Sequence, residues 1–166
     1  MTAGDADDAA AQQERRPRGG RRSVARLAAV QALYQLELNP EIAAEAVVGE
    51  FVRHRFGEEI DGGRLAEADC EFFSDIVQGA SADRERLDGE ISVALVEDWR
   101  LNRLDAVLRA ILLAGTWELM HRPDVPPRVS ISEYTALAYA FFTGKEPGLA
   151  NGVLDRLGRM LRAGEM

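Results

Sequence analysis

The chain has 166 residues, of which 46% are hydrophobic and 29% charged, with a formal net charge of −8. That length suits one domain burying roughly two thirds of its unfolded surface, and the longest apolar run, near residues 110–115, is far too short to span a bilayer. The single cysteine, Cys70, excludes an internal disulfide, no Cys/His set has zinc-ligand spacing, and Asp5, Asp7 and Asp8 stand where a secretory or transit peptide would be apolar or acid-poor; a cytoplasmic protein without metal or cofactor is expected.

Residues 1–20 are rich in Ala, Asp, Gln, Arg and Gly, with no large apolar side chain after Met1, and read as an arm that is disordered until bound. Residues 15–26 hold six arginines and no acid, so with a net charge of −8 the remainder carries −14. An acidic body with one arginine arm discourages indiscriminate polyanion binding yet leaves a local phosphate site.

The first predicted helix, residues 21–38, repeats Val24, Leu27, Ala28, Gln31 and Tyr34 at helical spacing, while Leu33 and Leu36 point elsewhere. Little of its circumference is left for water, so it belongs inside a bundle. Ser23 is its expected N-cap, and Arg22 and Arg26, four apart, share a face of the first turn. Positive charge at that end opposes the helix dipole, a cost that makes sense if an anion docks there.

Asn39 and Pro40 have the form of an N-cap and first residue for a second helix carrying Ile42, Val47, Val48, Phe51 and Val52 and fading near Phe56; residues 57–63 read as a loop. Residues 65–95 are helical in pattern, with Gly79 and Ser81 leaving one long helix or two short ones open. Trp99 and Leu101 lie in a connector to the most apolar helix, residues 104–121, which is the other central one. Pro123, Pro126 and Pro127 argue against helix for several residues, and Ser130-Ile131-Ser132-Glu133 then has the form of a capping box opening a helix to Phe141-Phe142 and Gly144. Pro147 or Asn151 starts a last helix with Leu149, Val153, Leu154, Leu157 and Leu161 as its stripe, and Gly152 invites a neighbouring backbone. The expected fold is an all-α, single-domain bundle of about seven helices.

Little in the chain supports catalysis. The candidate bases, His54 and His121, read as structural or surface histidines, and Glu118-x-x-His121 lacks the second such motif and the further carboxylates of a di-iron bundle. Gly19-Gly20 and Gly62-Gly63 lack the lysine and context of a phosphate loop. Binding is better supported: arginines at a helix start pair with phosphates, and Phe141, Phe142 and Lys145, between the last two helices, offer a stacking face and a further cation. Adjacent helical residues point about 100° apart, so one phenylalanine of the pair is expected to face out.

Several blocks, in order, resemble the NusB family of bacterial transcription antitermination factors. They are Arg21-Arg22-Ser23-Val24-Ala25-Arg26 with Val30-Gln31-Ala32-Leu33-Tyr34, Trp117-Glu118-Leu119 with Pro123-Asp124-Val125-Pro126, and Ser132-Glu133-Tyr134 with Asn151-Gly152-Val153-Leu154-Asp155. The resemblance covers most of the chain from Arg21 on, with residues 21–163 as the domain. It implies an all-helical, non-enzymatic factor that binds boxA-type single-stranded RNA of ribosomal RNA leaders together with ribosomal protein NusE and acts on RNA polymerase in transcription antitermination. Carried over by position, Arg21, Arg22 and Arg26 match the arginine motif, Tyr34 is the tyrosine that follows it, and Phe141 and Lys145 fall in the segment between the last two helices that lines the RNA site; Arg18 of the arm is a further expected RNA-binding residue.

The chain departs from the family pattern at Leu113, where Arg is usual, at Ser132, where Asn is usual, and at Gly148, Leu149 and Ala150, where a basic residue and Phe-Val are usual. These changes bear on the second half of the RNA surface and leave the arginine arm intact. A NusB-like domain also opens some ribosomal RNA cytosine methyltransferases, but no catalytic domain follows here, so a stand-alone binding factor is expected. The alternative is a protein-interaction adaptor or paralogue whose acidic body holds a basic ribosomal partner with weak or altered RNA binding.

Overall fold

The computed structural model describes residues 20–54, 69–96 and 98–166, and seven α-helices with no strand are found among them. The expected disordered arm, with Arg18, and the expected loop at 57–63 lie outside the described residues. Helix α1 (Gly20–Leu38) opens the bundle, followed by α2 (Ala44–His54), α3 (Cys70–Ala82) and α4 (Arg84–Ala94). A short 3₁₀ turn (Leu101–Arg103) leads to α5 (Ala106–His121), and α6 (Pro127–Phe141) and α7 (Glu146–Leu161) complete the fold.

The two helices with the flattest apolar profiles are the central ones. Helix α5 packs on α1, α3, α4, α6 and α7, and every residue from Ala110 to Leu119 is buried. Helix α1 packs on α2, α3, α5 and α6 through Ala25, Ala28, Ala29, Val30, Ala32 and Leu33. Four alanines on this face let α1 approach its neighbours closely, which brings its few polar side chains into contact with α5 and α6.

Helix ends differ from the sequence reading for identifiable reasons. Helix α1 begins at Gly20, so Ser23 is inside it rather than capping it, and the Ser23 hydroxyl donates to Glu133 at 2.9 Å. Asn39 closes α1 instead of opening α2: its backbone N–H and its side-chain amide both donate to the Gln35 carbonyl at 3.0 Å. Helix α2 consequently starts at Ala44, leaving Ile42 outside it. The 65–95 pattern resolves into two helices, with Asp83 closing α3 through a bond to the Gly79 carbonyl and opening α4.

Helix α6 starts at Pro127, where a missing N–H costs nothing in the first turn, so the expected capping box lies inside the helix. Ser130 there is fully buried and spends its hydroxyl on Glu118. Helix α7 starts with Glu146 and Pro147, as the Pro147 alternative has it. Gly152 meets only the Arg156 side chain, so the expected close backbone approach is absent there; a Cβ on Gly115 of α5, by contrast, would lie 3.0 Å from a Leu154 methyl of α7.

Gly79 is required by packing, since a Cβ at that point of α3 would drive into the indole of Trp117, whereas Gly89 on α4 has nothing within 4 Å. Gly79→Ala is expected to destabilise the fold by about 1–3 kcal/mol through overpacking. Gly89→Ala is expected to stabilise it by roughly 0.5–1 kcal/mol through helix propensity. Urea denaturation of the two variants checks the pair; equal shifts would contradict the packing of α3 on α5.

Candidate nucleic-acid interface

Arg26 and Glu118 form a charged pair inside the bundle. Both are almost fully buried, and the guanidinium reaches Glu118 through its Nε at 3.1 Å and an Nη at 2.6 Å. Ser130 adds a third donor to the same carboxylate at 3.0 Å. Burial opposes the Arg26 charge, but the hydrogen bonds and charge of Glu118 outweigh it and raise the Arg26 pKa. Tyr134, wholly buried beside this pair, has its hydroxyl pKa pushed well up by burial and then by the Glu118 charge. The pair joins α1, α5 and α6 at one point, and Glu133 of α6 adds a weaker contact to Arg26 at 3.9 Å.

One turn toward the N-terminus of α1, Arg22 comes to the surface with its side chain 37% exposed. Its guanidinium lies 4.8 Å from the centre of the Phe72 ring, Arg26 lies 5.2 Å from it, and Arg122, from the turn between α5 and α6, lies 4.9 Å from it. Three guanidiniums therefore cover one buried phenylalanine, an arrangement favoured by the negative ring face. Asp69 caps α3 by accepting from the Phe72 N–H at 2.9 Å, donates its own N–H to the Arg21 carbonyl, and stands 3.7 Å from Arg22. The start of α3 is thereby fixed to the start of α1.

The turn that carries Arg122 is itself anchored. Arg162, at the end of α7, is buried and donates to the carbonyls of Arg122, Pro123 and Val125, at 2.8 Å for the last. Arg122 forks onto Asp124 at 2.9 and 3.0 Å and reaches Asp75 at 3.5 Å, and Asp124 in turn lies 3.6 Å from Arg22. Hydrogen bonding from Arg122, helped by the Arg22 charge, lowers the Asp124 pKa to about 2.

The residues singled out from sequence fall into three places. Arg21 and Arg22 are on the first turn of α1, Arg21 exposed and Arg22 half-buried. Arg26 shares a face with Arg22, both guanidiniums lying against the Phe72 ring, but with 2% exposure and a carboxylate partner it is enclosed in the core and lies beneath the surface. Tyr34 packs partly buried against the core three turns further along, about 18 Å from Arg22 at 1.5 Å per residue. Phe141 is 43% exposed at the end of α6, Phe142 is partly buried against the core, and Lys145 is exposed before α7. Phe141 lies eight residues beyond Glu133, about 12 Å along α6.

Of the departures from the family pattern, Leu113, Leu149 and Ala150 are buried, while Ser132 and Gly148 are exposed. His54 is exposed, and His121 lies against Trp117 with its Nε2 at 3.4 Å from Asp83. Among the described residues, no group of three or more His, Cys, Asp and Glu is placed to hold a metal, and no helix is long and apolar enough to cross a membrane.

Sequence reasoning missed the roles of Phe72, Asp69, Arg122 and Asp124, which come from two separate segments, the start of α3 and the turn between α5 and α6. Glu118 carried a readable signal as the one acid in the most apolar helix, where a buried charge requires a partner.

Residues 23–159 match the model of the NusB family. The chain is 50% identical over 141 residues to the transcription antitermination protein NusB of Sinorhizobium fredii, covering 85% of this chain and 88% of that protein. It is 51% identical over 142 residues to the protein of the same name from Brucella ovis, covering 86% and 82%. Among solved structures, NusB of T. maritima superposes with a TM-score of 0.69 at 28% identity, covering 87% of this chain and 94% of that one.

Removing one member of a buried ion pair leaves the other uncompensated, so Arg26→Ala is expected to cost about 3–5 kcal/mol. Replacing both partners, as in Arg26→Met with Glu118→Leu, should recover most of that loss. Thermal melts of the two variants decide the point; an Arg26→Ala protein that melts like the parent would show that the pair is not holding α1 to α5.

Proposed function

This chain belongs to the NusB family, whose members are non-enzymatic transcription antitermination factors, and on that premise we propose that it binds boxA-type single-stranded RNA together with ribosomal protein NusE. The complex acts on RNA polymerase at ribosomal RNA operons, so that transcription continues through terminators.

The observation that carries this reading is the first turn of α1, where Arg21 and Arg22 are presented at the surface while Arg26 is locked underneath them. Guanidiniums at a helix start suit phosphate, and a single strand leaves its bases free to be read at a second point. The exposed Phe141 and Lys145 supply such a point about two turns along α6 from Glu133. The net charge of −8 makes binding local and keeps the rest of the surface from attracting nucleic acid. It also suits the basic ribosomal partner that the family uses.

Binding should weaken with salt as counterions are released. About four phosphate contacts give a log–log slope near −3, and the double variant Arg21→Ala/Arg22→Ala should flatten it by about 1.4. The measurement is fluorescence anisotropy of a labelled boxA-type RNA with NusE present, across a salt series. A double variant with unchanged affinity and slope would remove the arm from the site. A protein that binds NusE yet leaves the RNA alone with both present would be the adaptor instead.

A further inference from the structure

We propose that Arg122 is a further phosphate-binding residue of this RNA site, and that Asp124 occupies its place in the free protein: the carboxylate sits in a two-arginine anion site, between Arg22 and Arg122, that an RNA phosphodiester takes over. The proposal rests on the RNA-binding reading and names a residue and a competitor that the arginine motif does not include.

The geometry is that of an anion site already filled from within. Arg122 presents its fork to both oxygens of Asp124 at 2.9 and 3.0 Å, and Arg22 approaches the same carboxylate at 3.6 Å. A phosphodiester offers two oxygens to a guanidinium fork in the same bidentate way. Both guanidiniums also lie against the buried Phe72 ring, 4.8 and 4.9 Å from its centre, which anchors each of them to the same side chain. The carboxylate is accessible to a competitor, with the Asp124 side chain 50% exposed.

The backbone beneath is not free to follow. Arg162 holds the carbonyls of Arg122, Pro123 and Val125, so exchange needs only rotation of the Asp124 side chain into water. The other acids around the cluster have their own partners, Asp69 on Arg22, Asp75 on Arg122, and Glu118 and Glu133 on Arg26. Asp124 is the one shared between Arg22 and Arg122, whose side chains are 37% and 20% exposed. With its pKa near 2 it stays charged throughout the neutral range, so it competes with RNA at every pH where the protein is used.

An intramolecular carboxylate raises the threshold for any anion. A lone phosphate or an occasional polyanion has to displace it for one contact, whereas a strand held at several points does so as part of a larger gain. The device therefore favours a strand held at several points over scattered phosphates.

The test uses the full chain with NusE and a labelled boxA-type RNA at about 0.1 M salt and above. Asp124→Asn, which keeps the shape but not the charge, should tighten binding about three- to tenfold, while Arg122→Ala should weaken it by a similar factor and flatten the salt slope by about 0.7. Arg122→Lys, which retains charge without the fork, should keep the parent slope and lose part of the affinity, and thermal melts report any loss of fold separately. If Asp124→Asn leaves affinity unchanged or lowers it while Arg22→Ala still weakens binding, the competitor is wrong and the RNA reading stands. If Arg122→Ala lowers the melting temperature with no change of slope, Arg122 is only a structural clasp. If neither Arg22→Ala nor Arg122→Ala alters RNA binding, the RNA reading itself falls.

Discussion

The buried pair between Arg26 and Glu118 is the constraint on which the rest of this structure depends. Two charges removed from water are tolerable only with close, complete hydrogen bonding, and here Glu118 accepts from two guanidinium nitrogens and from Ser130. That requirement fixes more than a distance. It sets the rotation of α1 about its axis, its height against α5, and the depth at which α6 crosses both, because each donor or acceptor comes from a different helix. Apolar burial alone would accept α1 at several rotations, since its packed face is largely alanine. The ion pair selects one of them.

The geometry of the proposed RNA site follows from that selection. Once Arg26 is committed to the interior, Arg22, one turn earlier, emerges at the edge of the bundle against Phe72, and Arg21 stands beside it in water. Asp69 then joins the start of α3 to the start of α1, and the turn holding Arg122 and Asp124 is pinned by Arg162 on the other side. The proposed RNA site thus draws its residues from α1, α3 and the α5–α6 turn, held in place by the fold itself. Preorganised guanidiniums lose less freedom on binding than arginines on a free tail, which matters for a protein whose overall charge repels nucleic acid.

Periodicity alone made the helices and the two central elements legible, because α1 and α5 lack a polar stripe and such helices belong inside a bundle. Their ends were less legible, and the failures share a cause. Ser23 and Ser130 have the local look of N-caps, yet each hydroxyl serves a carboxylate on another helix. Asn39 beside Pro40 looked like a start and is a finish, since its amide reaches back to Gln35. Local chemistry offers these side chains two equivalent uses, and only the tertiary partner chooses between them. Arg26 is the same lesson at the site: four residues from Arg22 means about 40° of rotation, enough to leave one guanidinium half-buried at the edge of the bundle and the other enclosed in the core. Phe72 and Asp124 were beyond reach because their role exists only where distant segments meet. Phe141 ends α6, about 12 Å along that helix from Glu133, and Lys145 lies beyond it.

The central claim is that folding builds the phosphate contact from the first turn of α1 and the turn between α5 and α6. Photochemical cross-linking of a boxA-type RNA to the protein with NusE present, followed by peptide mapping, tests it most directly. Adducts are expected on peptides containing Arg21 and Arg22 and on the peptide spanning Pro123–Val125. Adducts confined to the segment around Phe141 and Lys145, with none on α1 or that turn, would contradict it.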